Sequence, residues 1–267
     1  MRQYNDLVNV VLRYGTEKSN RTGVDTLSYF GYHYEHDLAH GFPLLTSKKM
    51  FYRGIIEELI WYLRGDSDIG YLKDHGITFW DEWADQDGGL DSAYGRFWRR
   101  YPGDDRDVDQ VWRIVHELIH NPNSRRMVLT AWDPRNAWGS SLPPCHLLSI
   151  FNVQQGRLNC HLTQRSGDIA LGIPFNMACY SALTHYLAAL TGLKPGIFSH
   201  AIVDAHIYTN HIEGLREQVA RPTIPLPDLH VKASYQEDVG KLFVPTLDQF
   251  ELTNYNPHPG ISFDVAV

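Results

Sequence analysis

The sequence predicts a single α+β domain: a large mixed, twisted β-sheet packed by helices. Three observations lead there. Strand-like and helix-like stretches are interspersed without a steady βαβα alternation. A hairpin signal at Gln154–Gly156 joins two alternating segments. Pro174–Thr191 is apolar on nearly every side, as a central buried helix must be. No repeat, low-complexity tract or linker interrupts the chain, so residues 1–267 read as one domain.

In chain order, Tyr4, Leu7, Val8, Val11 and Leu12 recur at helical spacing, with Gly15 as a stop. Asp25–Phe30 and Tyr32–Asp37 read as two strands, bent or bulged at Gly31. Phe51–Leu63 is a helix whose apolar face carries Ile55, Ile56, Leu59, Ile60 and Leu63. "TFWDEWADQDGGLD" is aromatic and then turn-rich. Val108–Ile119 is amphipathic, and Met127–Trp132 is a short buried strand. His146–Val153 and Leu158–Gln164 form the hairpin. Gly192 ends the central helix. Gly196–Asp204 is a strand, and Asn210–Ala220 a helix capped by Asn210. "RPTIPLPDL" is stiff and extended, and "YNPHPGISFDVAV" has no regular pattern.

Composition removes whole classes of function. Hydrophobic residues make up 43% and charged residues 21%, as in soluble globular proteins. No apolar run reaches the roughly 18 residues of a membrane helix. The first residues, "MRQYNDLVNVVLRYG", are too polar for a signal peptide. Three cysteines are too few for a disulfide scaffold and fit a reducing cytoplasm. A net charge of −7 argues against a nucleic-acid polymer as partner and gives an RNA-binding role no support. A small anion held by a few arginines is compatible with it.

"HELIH", His116–His120, matches the H-E-x-x-H zinc-peptidase pattern. The helix face decides against it. Val108, Val111, Val115 and Leu118 form the apolar stripe, which leaves His116, Glu117 and His120 on the solvated side. A catalytic zinc site needs a third ligand and a cleft. His206 and His211 are five apart, which is poor spacing for a shared face. No metal site is expected.

The chemistry-bearing candidates are scattered. Cys145 lies in "LPPCH", before an apolar strand, where packing residue, metal ligand and nucleophile are all open readings. Arg21, the adjacent Arg125 and Arg126, and Arg165 offer forks for phosphate oxygens, and Ser166 a hydroxyl. Glu57 and Glu58 adjoin the apolar face of their helix, and a half-buried carboxylate has a raised pKa. Asn176 opens the apolar helix, where its amide must satisfy both a donor and an acceptor.

Jointly, "NRTG", "GFPLLTSKK", "EELIWYLRGD", "FWDEWAD", "YGRFWR", "NSRRM", "LPPCH", "CHLTQRSGDIALGIPFNMA", "DAHIYTNH" and "NPHPGI" resemble the folate-dependent thymidylate synthase family. The matches keep the family's order and span nearly the whole chain. The resemblance implies roles position by position. Cys145 matches the nucleophile. Arg21, Arg165 and Ser166 match the phosphate clamp of dUMP, and Arg125 and Arg126 the pair that reaches the partner subunit's phosphate. It thus implies a homodimer with a sheet face as its interface. Asn176 matches the reader of the uracil edge, and His206 and Tyr208 the holders of the sugar 3′-hydroxyl. Asp168 matches an acid where base and folate meet. Glu58, Trp80, Tyr94 and His146 match a folate and proton-transfer network. Lys48 matches a contact to the folate glutamate tail. Phe79, Leu171, Gly172 and Phe175 fall at the folate pocket, and Ala266 in a tail, Val265–Val267, that closes over it.

That chemistry suits these residue types. A thiolate added to uracil C6 turns C5 into a carbon nucleophile, and Arg165 would favour the thiolate. Asn176 would donate to O4 and accept from N3–H. 5,10-Methylenetetrahydrofolate would supply both carbon and hydride, so neither a metal nor a dinucleotide fingerprint is needed. The sequence departs from the family at His33, where relatives often have glutamine near the dimer face. It departs also at Gly167, where some have cysteine, and at Phe79, where isoleucine is common. The nearest alternative is a pyrimidine hydroxymethylase, in which water ends the reaction. Asn176 argues for uracil, and Trp80 and the apolar C-terminus for a dry site and hydride transfer.

Overall fold

A computed structural model describes residues 1–91, 93–140, 142–235 and 243–265. In chain order the helices and strands are α1 Arg2–Tyr14, β1 Thr16–Lys18, β2 Thr26–Asp37, α2 Tyr52–Arg64, α3 Gly70–Asp74, α4 Tyr94–Arg99 and α5 Gln110–His120. There follow β3 Val128–Thr130, α6 Pro134–Ala137, β4 His146–Gln154, β5 Arg157–Asp168, α7 Gly172–Leu190, β6 Lys194–Tyr208, α8 Ile212–Ala220, β7 Asp228–Val231 and β8 Phe250–Thr253. β7 and β8 make a separate antiparallel pair. The other strands form one sheet in the order β1-β2-β6-β5-β4-β3. Its β5–β6 pair is parallel and the rest antiparallel, so the sheet is mixed, as the sequence predicts.

The parallel pair needs a long crossover, and α7 supplies it. Fifteen of its nineteen residues are buried, which is why its sequence shows so little amphipathic pattern. α7 lies against β5, β6 and α2, and α2 is itself buried from Gly54 to Leu63. Leu162, Phe198 and Ile202 of the sheet and Met177, Ala178 and Ala182 of α7 share the resulting core. The predicted hairpin is present. Gln155 and Gly156 take φ of 51° and 72°, the left-handed pair that matches the twist of the flanking strands.

Four expectations need correction. Asp25–Asp37 is not two strands but one, β2, kinked at Gly31 with φ 77° and no shift of register against β6. β5 and β6 outrun their hydrophobic stretches, to Asp168 and to Lys194–Tyr208, because ladder hydrogen bonds hold polar residues as firmly as apolar ones. β3 is three residues long and lies at the sheet edge with Val128 exposed. Asn210 caps nothing. A tight 3-10 turn, Thr209–His211, follows β6 and is held by Thr209 N–H on Asp25 O at 2.9 Å, so α8 begins at Ile212.

The solvated-face reading of "HELIH" holds. His116 and His120 are exposed on α5, their ring centroids 4.4 Å apart. No group of three potential metal ligands occurs among the described residues.

Candidate active site

Cys145 ends the irregular segment that enters β4, and β5 grips that segment from the side. Arg165 donates through Nε to Pro144 O at 2.9 Å and through Nη2 to Pro143 O at 2.7 Å, and its backbone N–H bonds Cys145 O at 2.8 Å. From the other side, Cys145 N–H donates to the Tyr94 hydroxyl at 2.7 Å. The prolines matter here because neither can donate a backbone hydrogen bond, so their carbonyls are the handles that the guanidinium holds. The cysteine is half-buried and free, unlike Cys160 and Cys179, which are sealed in the core. Burial pushes its thiol above the ordinary value, and the charges of Arg165 and then Arg21 pull it back. The net direction is upward. Arg165 thus favours the thiolate, as expected, and with Arg21 it offsets burial without overcoming it.

A second cluster fixes an amide. Gln164 Nε2 donates to Ser166 O at 3.0 Å and to Asn176 Oδ1 at 2.9 Å. A backbone carbonyl only accepts, so Ser166 settles which end of Gln164 faces it, and Gln164 settles which end of Asn176 faces it. Asn176 Nδ2 is left for another acceptor. Gln164 Oε1 pairs with His200 Nε2 at 3.0 Å, and His200 Nδ1 with the Tyr34 hydroxyl at 2.9 Å. A side-chain carbon on Gly172 would lie 3.8 Å from Asn176 Oδ1 and 4.0 Å from Asp168 Cβ, so these three residues meet at the start of α7.

Glu58 is buried in α2 and accepts from Trp80 Nε1 at 2.8 Å. Burial raises its carboxyl to about 7, although hydrogen bonds from Trp80 and Tyr62 oppose the rise. Its neighbour Glu57 is also buried but has partners, the Tyr71 hydroxyl at 2.7 Å and Arg53 at 3.8 Å. Glu58 is thereby placed to exchange a proton near neutral pH. Tyr94 stacks on His146 at 3.6 Å between centroids and 2° between planes. Burial, then His200, lowers His146 to about 3, so it is a neutral ring bonded through Nδ1 to the Tyr180 hydroxyl.

Asp168 Oδ1 accepts from Ala170 N–H at 2.8 Å and Leu171 N–H at 3.3 Å. Burial raises the Tyr208 hydroxyl, and the charges of Asp168, Arg21 and Cys145 reach it. His206 stands beside Tyr208 at 5.3 Å between rings and close to Asp204, which in turn holds Lys18 at 2.7 Å. Lys48 is buried, and its Nζ donates to Ala170 O at 2.6 Å beneath the Phe263 ring. Burial lowers it to about 8, against the pull of Asp168. Phe79 meets Phe175 edge-on at 5.7 Å, and Trp80 meets Tyr94 at 6.1 Å, giving an aromatic wall beside the carboxylates.

Arg125 and Arg126 are exposed before β3, and no ion pair holds either among the described residues. Ala266 lies outside the described residues, as does Val267. Two residues of this region escaped the sequence reading. Gln164 had a faint signal, a polar side chain pointing inward on an alternating strand. His211 had none, since its importance depends on where Asp168 and the C-terminal segment come to rest. A thiol between cations, a protonatable buried carboxyl and an oriented amide are suited to covalent chemistry on a heterocycle that carries a phosphate. In agreement, residues 2–267 match the sequence profile described as Thymidylate synthase, and the chain belongs to that family.

Proposed function

We propose that the protein converts dUMP to dTMP, taking a one-carbon unit and a hydride from 5,10-methylenetetrahydrofolate and releasing dihydrofolate. Family membership supports folate-dependent methyl transfer in nucleotide biosynthesis. The finer reading rests above all on Cys145, held half-buried between Tyr94 and Arg165 at the strand that also orients Asn176.

In this reading the phosphate binds Arg21, Arg165 and Ser166, and His206 and Tyr208 hold the sugar. Sγ adds to uracil C6. Asn176 Nδ2 donates to O4 as negative charge builds there, and a second lone pair on Oδ1 accepts from N3–H. Glu58, near 7, moves protons at neutral pH. The folate would lie against Phe79, Trp80 and Phe175, with Leu171 and Gly172 beneath it and Asp168 beside its polar edge. The aromatic wall and a carboxylate with one oxygen that accepts no hydrogen bond among the described residues fit a flat, hydrogen-bonding ring. When bound, it supplies the carbon and the hydride. Lys48 and Ala266 complete the proposed folate contacts. Cytoplasmic location is part of the proposal, in keeping with three free thiols. No described helix is long and apolar enough to cross a membrane.

Incubation with dUMP and methylenetetrahydrofolate should give a product 14 mass units heavier than dUMP, about one CH₂ by mass balance of methyl transfer. A hydroxymethyl product would overturn the reading and favour the hydroxymethylase.

A homodimer belongs to the same proposal. Phe30, Val128, Ile150 and Val203 are exposed on four different strands of the sheet, and a second copy would cover them. Arg125 and Arg126 would then serve the partner's phosphate site. A double Arg125→Ala, Arg126→Ala variant is expected to raise KM for dUMP about 100-fold, as loss of charge-assisted contacts does. Mixing it with Cys145→Ser protein should restore activity, because one site then has both its own cysteine and the partner's arginines. Mixed samples no more active than either variant would rule out sharing.

A further inference from the structure

His211 sits between two things the chain must bring together, the carboxylate at the end of β5 and the C-terminal segment. Its ring is 1% exposed. Nε2 lies 2.8 Å from Asp264 O. Nδ1 points at Asp168 Oδ1 from 3.8 Å, beyond hydrogen-bond length, and has no hydrogen-bond partner among the described residues. Two chemical facts then fix the ring. A backbone carbonyl only accepts, so Nε2 must hold a proton. In the neutral ring Nδ1 is then a lone pair aimed at an anion, which is unfavourable. A second proton on Nδ1 turns that repulsion into a charge-assisted contact.

We propose that His211 is a positioning residue that, as a doubly protonated imidazolium, fastens the C-terminal segment to Asp168 and so couples the seating of that segment to the folate side of the site. This rests on the reading of Asp168 given above. The surroundings agree. Burial lowers the pKa of His211, but the neighbouring Asp168 and then the Asp264 carbonyl and carboxylate outweigh it, and the net direction is upward. The other titratable groups around the ring are Tyr208, at 5.5 Å between rings, and Lys48, which lies under Phe263 and feels Asp168. Phe263 packs on His211 at 5.1 Å and so closely over α8 that a side-chain carbon on Gly214 would fall 2.6 Å from its ring. The segment is also tied at His258 N–H to Thr46 O, 2.8 Å, and at Pro259 O by Arg221, 2.7 Å. The segment is held in addition by His258 Nε2 at 2.9 Å from Pro222 O; among these ties His211 is the one that reaches Asp168. The sign follows: a pKa above its unfolded value gives an attachment that is complete at lower pH and weakens as pH rises through the folded value.

The first test needs no activity. Ring ¹⁵N chemical shifts of His211 across pH should show Nε2 protonated throughout, Nδ1 titrating above pH 6.5, and that elevation lost in Asp168→Asn. A neutral Nδ1–H tautomer, or a titration unmoved by Asp168→Asn, overturns the proposal whatever the enzyme's reaction. The second test uses His211→Gln, whose amide still donates to Asp264 O but carries no charge. KM for the folate should rise about five- to tenfold, and its pH profile between 6 and 8 should change from that of the parent while the contributions of Glu58 and Lys48 remain, with KM for dUMP unchanged. A wild-type pH profile in that variant also overturns it. If no thymidylate forms at all, the functional reading fails while the ring titration still decides the proposal.

Discussion

Replacing Cys145 with serine is expected to lower kcat by at least about 10⁴-fold, the scale seen when a nucleophile is removed, while dUMP binds within about threefold of its original affinity. Serine keeps the volume and the approach past Pro143, whose carbonyl lies 3.9 Å from Sγ. It loses the reachable anion. Burial raises the thiol, and Arg165 and Arg21 pull it back toward the thiolate. A hydroxyl is far beyond them. No other thiol can substitute. Burial pushes Cys160 up to about 12 and Cys179 well above its ordinary value. Single-turnover rates beside calorimetric binding of dUMP separate the two effects. Activity within tenfold of the parent would remove Cys145 from the reaction.

Glu58→Gln should produce opposite changes in activity and stability. Loss of a proton carrier poised near 7 is expected to cost about 10²- to 10⁴-fold in kcat and to erase the limb of the pH profile near that value. The fold, by contrast, holds Glu58 protonated more tightly than the unfolded chain does. The native state is therefore favoured below the unfolded value of 4.5, and it loses ground as pH rises from 4.5 to about 7. The span corresponds to about 3 kcal/mol at pH 8, since each pKa unit is worth about 1.4 kcal/mol. Glutamine keeps an oxygen for the Trp80 N–H and carries no such cost. Urea denaturation should find the variant more stable than the parent at pH 8, by about 1–3 kcal/mol, with the gap closing toward pH 5. Equal stability at both values would mean that Glu58 is not desolvated as described.

These two residues show what a sequence discloses and what it withholds. For Glu58, helical spacing places a carboxylate at an apolar face, but the same spacing serves Glu57. Tertiary contacts separate them: Tyr71 and Arg53 reach Glu57, while Glu58 faces Trp80. For Cys145, the family resemblance implies a nucleophile, yet its proton balance depends on how deeply the loop sinks against Arg165 and Tyr94.

The sequence by itself determined the mixed α+β class, the hairpin at Gln155–Gly156, the buried α7, the exposed histidines of α5 and the family. Each is written in local terms, in periodicity, turn chemistry or ordered motifs, and so survives without coordinates. The tertiary structure alone decided that Ser166 O orients Gln164 and Asn176, that Asn210 caps no helix, and that His211 meets both Asp168 and Asp264. Those pairings join residues up to 53 positions apart. Their existence depends on the parallel β5–β6 register and on where the C-terminal segment lands, which no local pattern encodes.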